Sequence, residues 1–414
     1  MNPLLLPIAL AAAVPAPPTP RQQAVAAIED FASYCTRGDV LWGKSLCGPL
    51  IFVEPRTREA IASIDPGIDG FVREGSVWAG TLPGKISIAN TSIDLAGRRL
   101  AEIILPLPDQ PLDRRVLLAH ESFHRIQPEL GFAGREADNS QLDTKDGRIW
   151  ARLEFAALKA ALASKDWMGP ARDALAFRAK RLALFPSAGE SEGELIANEG
   201  LAEYTGVKIG AALEAVPFAI KRLDGGAGRA SLIRSFGYVV GPAYGLLLDR
   251  ISSDWRKEAL NGTPLPDLLE KALPPSAGQA SATQYDETAI VAEETARDAR
   301  IQKRRQSLVA ELVDGPVVTF PASNMNLDFD PNTLFSLGDR GMVYSRSTVV
   351  RDTWGVLTAT GDVLLSPGWS YARVQGPAMT QGDKIVGPGW NAELAPGYFL
   401  AEDQDSGNFI IRTR

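Results

Sequence analysis

Residues 116–131 read VLLAHESFHRIQPELG, and both of the chain's histidines, His120 and His124, lie within them. Positions four apart on a helix share one face about a turn from each other, so the two imidazoles project side by side. Two neutral imidazole nitrogens placed this way can be bridged by one zinc ion at about 2.0–2.1 Å from each. Glu121 stands beside the pair, where a carboxylate can take the proton of a water acidified by such an ion. HESFH therefore offers two metal ligands and a base. The bland alternative is an ordinary helix whose histidines are satisfied without metal.

A catalytic zinc site needs a third protein ligand and an open position. No third histidine exists, and Cys35 and Cys47 are the only cysteines. They sit twelve apart and are better used as a disulfide closing a small loop. A carboxylate must then serve, and Glu199 in ANEGLAEYTG is the best placed. Glu203, one turn on, is the alternative ligand or a partner that orients one. Glu154 and Glu194 are poorer candidates, and a solvated helix face is the plain alternative for both Glu199 and Glu203.

HESFH followed at a distance by Asn198-Glu199-Gly200-Leu201-Ala202-Glu203-Tyr204 resembles the gluzincin clan of zinc metallopeptidases, and most of all its aminopeptidase-N-like branch. The resemblance covers roughly residues 99–269 and implies a zincin-like fold, bound Zn²⁺, and hydrolysis of a peptide or protein substrate. It implies Glu199 as third ligand beside His120 and His124, and Glu121 as general base. Through GYVVGPAYG it implies Tyr238 as the hydroxyl that stabilises the oxyanion, with Tyr244 as second choice. Two departures stand out. Here 74 residues separate His124 from Glu199, far more than in the aminopeptidases and enough for two extra helices. The G-x-M-E-N motif that captures a free amino terminus is absent, which leaves endopeptidase and aminopeptidase specificity both open.

Outward from this stretch, GKISIANTSIDLAGRRLAEIILPL alternates in two runs about Ala96-Gly97, as a hairpin does. The run 99–105 then leads through three prolines into the HESFH helix, and it is expected to line the cleft and pair with an extended substrate. The helix should stop at Gln127, ahead of Pro128. Helices are predicted over 147–164 and 171–185, with another opening at Ser191 through an S-x-x-E capping box with Glu194. More helix is expected over 235–260 and 265–273. A long polar helix over 283–312 follows, acidic early and basic late at Lys303, Arg304 and Arg305, with the basic end read as solvated. Beyond Gly315 the composition turns to short strands and turns. There GDVLLSPGW and GDKIVGPGW form a small repeat offset by 21 residues, whose Trp369 and Trp390 are expected to pack in a core.

The chain of 414 residues has room for more than one domain. Its net charge of −7 argues against nucleic-acid binding. The apolar run 3–14, with small residues at Ala13 and Ala16, reads as a signal peptide too short to span a bilayer, and no later segment suggests a membrane span. These features predict an exported soluble protein, periplasmic or secreted. The predicted class is α+β: a leader over 1–20, a mostly helical catalytic domain with a small N-terminal sheet over 21–275, a connector helix over 276–313 and a β-rich domain over 314–414. The competing function is an inactive zinc-binding protein whose β-rich tail recognises a protein or glycan partner.

Overall fold

The computed structural model describes residues 18–84, 86–131, 138–274, 281–330, 333–382, 384–403 and 407–414. The apolar run 3–14 and the small residues Ala13 and Ala16 lie outside them. The chain is mixed α and β and divides into two compact units, Met1–Glu294 and Thr295–Arg414. No helix among the described residues is long and apolar enough to cross a membrane.

The first unit holds a sheet of six strands: β1 (Leu50–Val53), β2 (Glu59–Ala62), β3 (Val72–Glu74), β4 (Val77–Thr81), β5 (Thr91–Leu95) and β6 (Arg98–Ile104). Their order is β3-β4-β2-β1-β6-β5, with β1 and β6 parallel and every other pair antiparallel. The β5/β6 hairpin turns at Ala96-Gly97, where φ is 46° and 74°. Two residues with positive φ are what a two-residue hairpin matching the strand twist requires. Side chains alternate across the sheet: Leu50, Phe52, Ala101 and Ile103 join the main core, whereas Ile51, Val53 and Leu100 join a second core on the other face. The strand expected to line the cleft is corrected here. β6 is paired on both sides, by β1 and by β5, and has no free edge for a substrate; the sheet's edge strands are β3 and, next to β6, β5.

Glu102 on β6 is 1% exposed, and one of its carboxylate oxygens has no hydrogen-bond partner. Burial pushes this carboxyl up to about 7, against the opposing pull of the Ala89 N–H and the Arg58 guanidinium. A carboxyl that holds its proton more tightly when folded supports the fold fully below its unfolded value, near 4.5, and that support fades as pH rises through about 7. Glu102→Gln should therefore stabilise the protein by about 1–3 kcal/mol at pH 8 and by little at pH 4.5. Thermal unfolding of both proteins at the two pH values checks this, and a difference that does not change with pH would contradict it.

The helices of this unit begin with α1 (Pro20–Ala32), capped by the Thr19 side chain and Gln22, and α2 (Arg37–Trp42). Cys35 and Cys47 form a disulfide across α2. α3 (Pro111–Ile126) opens on a proline, whose missing N–H costs nothing at that position, and gives way before Pro128 to a short 3₁₀ turn. α4 (Lys145–Ala163) and α5 (Met168–Leu184) pack against each other. α6 (Ala188–Leu195) runs through a π turn (Ile196–Gly200) into α7 (Leu201–Gly206) and a second π turn (Val207–Ala211). Then come α8 (Ala215–Ala227), α9 (Phe236–Leu248), α10 (Trp255–Leu260) and α11 (Leu265–Ala272). The capping box is not formed. α6 starts at Ala188, as soon as Pro186 is passed, so Ser191 lies inside the helix and its hydroxyl donates back to the Ala188 carbonyl at 3.2 Å.

α12 (Glu287–Val309) contains the division between the two units. Arg304 near its end is not free in solvent, since its guanidinium donates to Ser345 at 3.0 Å and Asp362 at 3.2 Å. The second unit is two antiparallel-rich sheets, of seven and six strands among the described residues, with a main core around Phe320, Trp354 and Trp390 and a smaller cluster around Leu308, Leu312 and Val343. The tryptophan repeat splits. After Gly389 the chain enters a strand at once and Trp390 is buried, its indole N–H donating to the Gln375 carbonyl at 2.7 Å. After Gly368 it makes a 3₁₀ turn instead, which leaves Trp369 at φ 56° and 49% exposed.

Candidate metal centre

The middle of α3 is enclosed between the β5/β6 hairpin and the α7 segment. His120 and Glu121 are each 3% exposed, so their polar atoms must be satisfied by protein or by something bound. α7 comes close because Gly206 lets it: a Cβ there would stand 2.6 Å from the Val116 carbonyl and 3.3 Å from the His120 Cβ. Glu199 reaches the same place from the π turn, a backbone feature often found at functional sites. Gly200 beside it touches α9 at Gly241, where a Cβ would lie 2.3 Å from the Gly200 Cα, and this contact brings Tyr238 to the site.

One Glu199 oxygen stands 3.5 Å from His120 Nε2 and 3.4 Å from His124 Nε2, and the two Nε2 atoms are 3.1 Å apart. These edges are close to the edge of about 3.3 Å in a tetrahedron whose corners lie 2.0–2.1 Å from its centre, the spacing of nitrogen and oxygen ligands about a four-coordinate ion. The far nitrogens fix the tautomers. His120 Nδ1 faces a Glu203 oxygen at 2.8 Å, and an ionised carboxylate only accepts, so Nδ1 carries the proton. His124 Nδ1 faces Gln127 Oε1 at 2.7 Å. The amide is oriented unambiguously, because its nitrogen donates to the carbonyls of Ala197 at 3.3 Å and Asn198 at 3.1 Å. His124 Nδ1 is therefore also a donor.

With both Nδ1 atoms already protonated, three atoms that offer lone pairs converge: the two imidazole Nε2 atoms and a buried Glu199 oxygen without a hydrogen-bond partner. That repels unless a cation lies among them, and the three residues could hold a metal ion. Their electrostatics show the same demand. Burial opposes charge on His120, yet Glu121, Glu199 and Glu203 together push it up to about 10, so protein without metal would hold a proton where an ion would sit. Burial would raise Glu199, but the two histidines hold it well below the usual carboxylate range.

Burial pushes Glu121 upward, which strengthens it as a base, and one of its oxygens has no hydrogen-bond partner. The Tyr238 ring stacks on His120 with centroids 5.1 Å apart and planes 8° from parallel. Burial and the adjacent Glu199 carboxylate raise its hydroxyl far above the tyrosine range, so it stays a proton donor. His120, Glu121, Glu203 and Tyr238 line one cavity of about 870 Å³ together with Asn90, just before β5, and Arg222. A second cavity of about 370 Å³ lies at the C-terminal end of α3, walled by Gln127, Asn198 and Glu194.

The structure thus brings His120, Glu121, His124, Glu199 and Tyr238 together and sets Glu203 behind His120, where Arg222 pairs with its other oxygen at 3.0 Å. Tyr244 lies elsewhere: fully buried, it donates to Glu154 at 2.6 Å, and Glu154 is bound by Arg181. Neither residue belongs to the site. Sequence reasoning missed Gln127 and Arg222; the only signal for Gln127 was its place about one turn beyond His124, where α3 ends. No known protein family, curated relative or solved structure matches this chain.

Proposed function

We propose that the protein is a zinc-dependent peptidase whose first unit is zincin-like, as the resemblance of HESFH and NEGLA to the gluzincins implies. The observation that carries this reading is the convergence of His120, His124 and Glu199 at ligand spacing, with a Glu121 oxygen that has no hydrogen-bond partner and the Tyr238 hydroxyl beside it on the cavity that His120 lines. A purely structural zinc prefers four closed protein ligands. Here three converge and the cavity opens beside them.

His120, His124 and Glu199 would hold the zinc ion, which would supply Lewis acidity at this end of the cavity. Glu121 removes the proton of the attacking water and returns it to the leaving amine. The Tyr238 hydroxyl donates to the oxyanion that forms. Glu203 and Gln127 hold the two imidazoles in the ligating tautomer. The free edge of β5, beside Asn90, offers backbone groups to an extended peptide.

Hydrolysis of a mixed peptide library, with product ends sequenced, tests the activity and shows whether the cut is internal or terminal. Tyr238→Phe should keep the metal and lower kcat about 10²–10³-fold, as loss of one oxyanion donor does. A rate equal to wild type would remove Tyr238 from the chemistry.

A further inference from the structure

We infer that Gln127 is a positioning residue that locks His124 and Glu199 into a single ligand set, an inference resting on the metal centre proposed above. Gln127 is 4% exposed at the end of α3. Its one planar group acts in two directions. The oxygen accepts from His124 Nδ1 at 2.7 Å, which leaves Nε2 free to ligate. The nitrogen donates to the carbonyls of Ala197 and Asn198, the two residues immediately before Glu199 in the π turn.

A π turn carries one more residue than an α turn, so it can relax to ordinary helix by shifting its backbone. Such a shift would carry the Glu199 carboxylate away from the imidazoles. Two donors on the carbonyls of the turn oppose it, and they come from the side chain that also sets the other ligand. An amide accepts and donates from one rigid plane, whereas a carboxylate at this position keeps the His124 contact but faces two carbonyls without a proton. The geometry therefore separates a residue serving His124 alone from one serving both ligands.

The test uses the full chain with Zn²⁺ and with Co²⁺ as a visible stand-in, comparing wild type, Gln127→Met and Gln127→Glu. Unfolding midpoints and far-ultraviolet spectra first establish that each variant folds. Both variants should bind metal about 10- to 100-fold more weakly than wild type, the usual effect of losing a group that orients a ligand. Their saturated Co²⁺ absorption should change in intensity, as loss of a carboxylate ligand requires. Wild-type affinity and spectrum in Gln127→Glu would overturn the double role, and wild-type behaviour in Gln127→Met would overturn any role. Failure of the wild type itself to bind either ion would instead remove the metal centre and the clamp with it. Should neither variant fold, the imidazole nitrogen spectrum of zinc-loaded wild type decides, since only two histidines contribute. A proton on His124 Nδ1 supports the clamp, and a proton on Nε2 overturns it.

Discussion

Glu121→Gln should retain one zinc per chain and lose peptide hydrolysis by about 10³-fold or more, near the upper part of what one general base contributes. The side chain is 3% exposed, lies one residue from His120 and keeps one oxygen without a partner. Glutamine preserves its shape and fills the same space, so neither α3 nor the ligand triangle is disturbed. What disappears is the ability to take a proton and give it back. Steady-state kinetics beside metal analysis separate the two effects. An active Glu121→Gln protein would take the base role from Glu121, and one that lost its metal would make Glu121 part of the metal's support.

Glu199→Ala should act on the metal itself. Removing a group that only orients a ligand costs about 10–100-fold in affinity, so removing a ligand should cost more than about 100-fold. The remaining atoms explain why nothing replaces it. Glu203, the nearest other carboxylate on the segment, is committed to His120 Nδ1 and Arg222 and cannot turn to the Nε2 side without giving up both. Competition against a chromogenic chelator measures the loss. Unchanged affinity in Glu199→Ala would mean that a different third ligand is used.

How far the sequence could be read depended on how local the cause was. The HESFH helix was legible because Pro111 opens it, Pro128 closes it and a four-residue spacing fixes a shared face. The β5/β6 hairpin was legible because two positive-φ positions sit at the centre of an alternating pattern. Which of its strands forms the edge was not, because that is decided by the parallel pairing of β6 with β1, some fifty residues earlier. Glu199 could be chosen from its motif and by exclusion of other ligands, but the π turn that delivers it left no periodic trace. The groups fixing the tautomers are longer-range still, Glu203 lying 83 residues from His120 and Ala197 lying 70 from Gln127. The tryptophan repeat misled because identical Pro-Gly-Trp turns continue differently, one into a strand and one into a 3₁₀ turn.

Everything proposed for this protein depends on a cation among His120, His124 and Glu199. The most direct test is elemental mass spectrometry of wild-type protein purified without chelator and, separately, after zinc is supplied and the excess removed. One zinc per chain in the zinc-supplied protein is the predicted result. No bound metal in either preparation would contradict the account and leave HESFH as a buried helix with two hydrogen-bonded histidines.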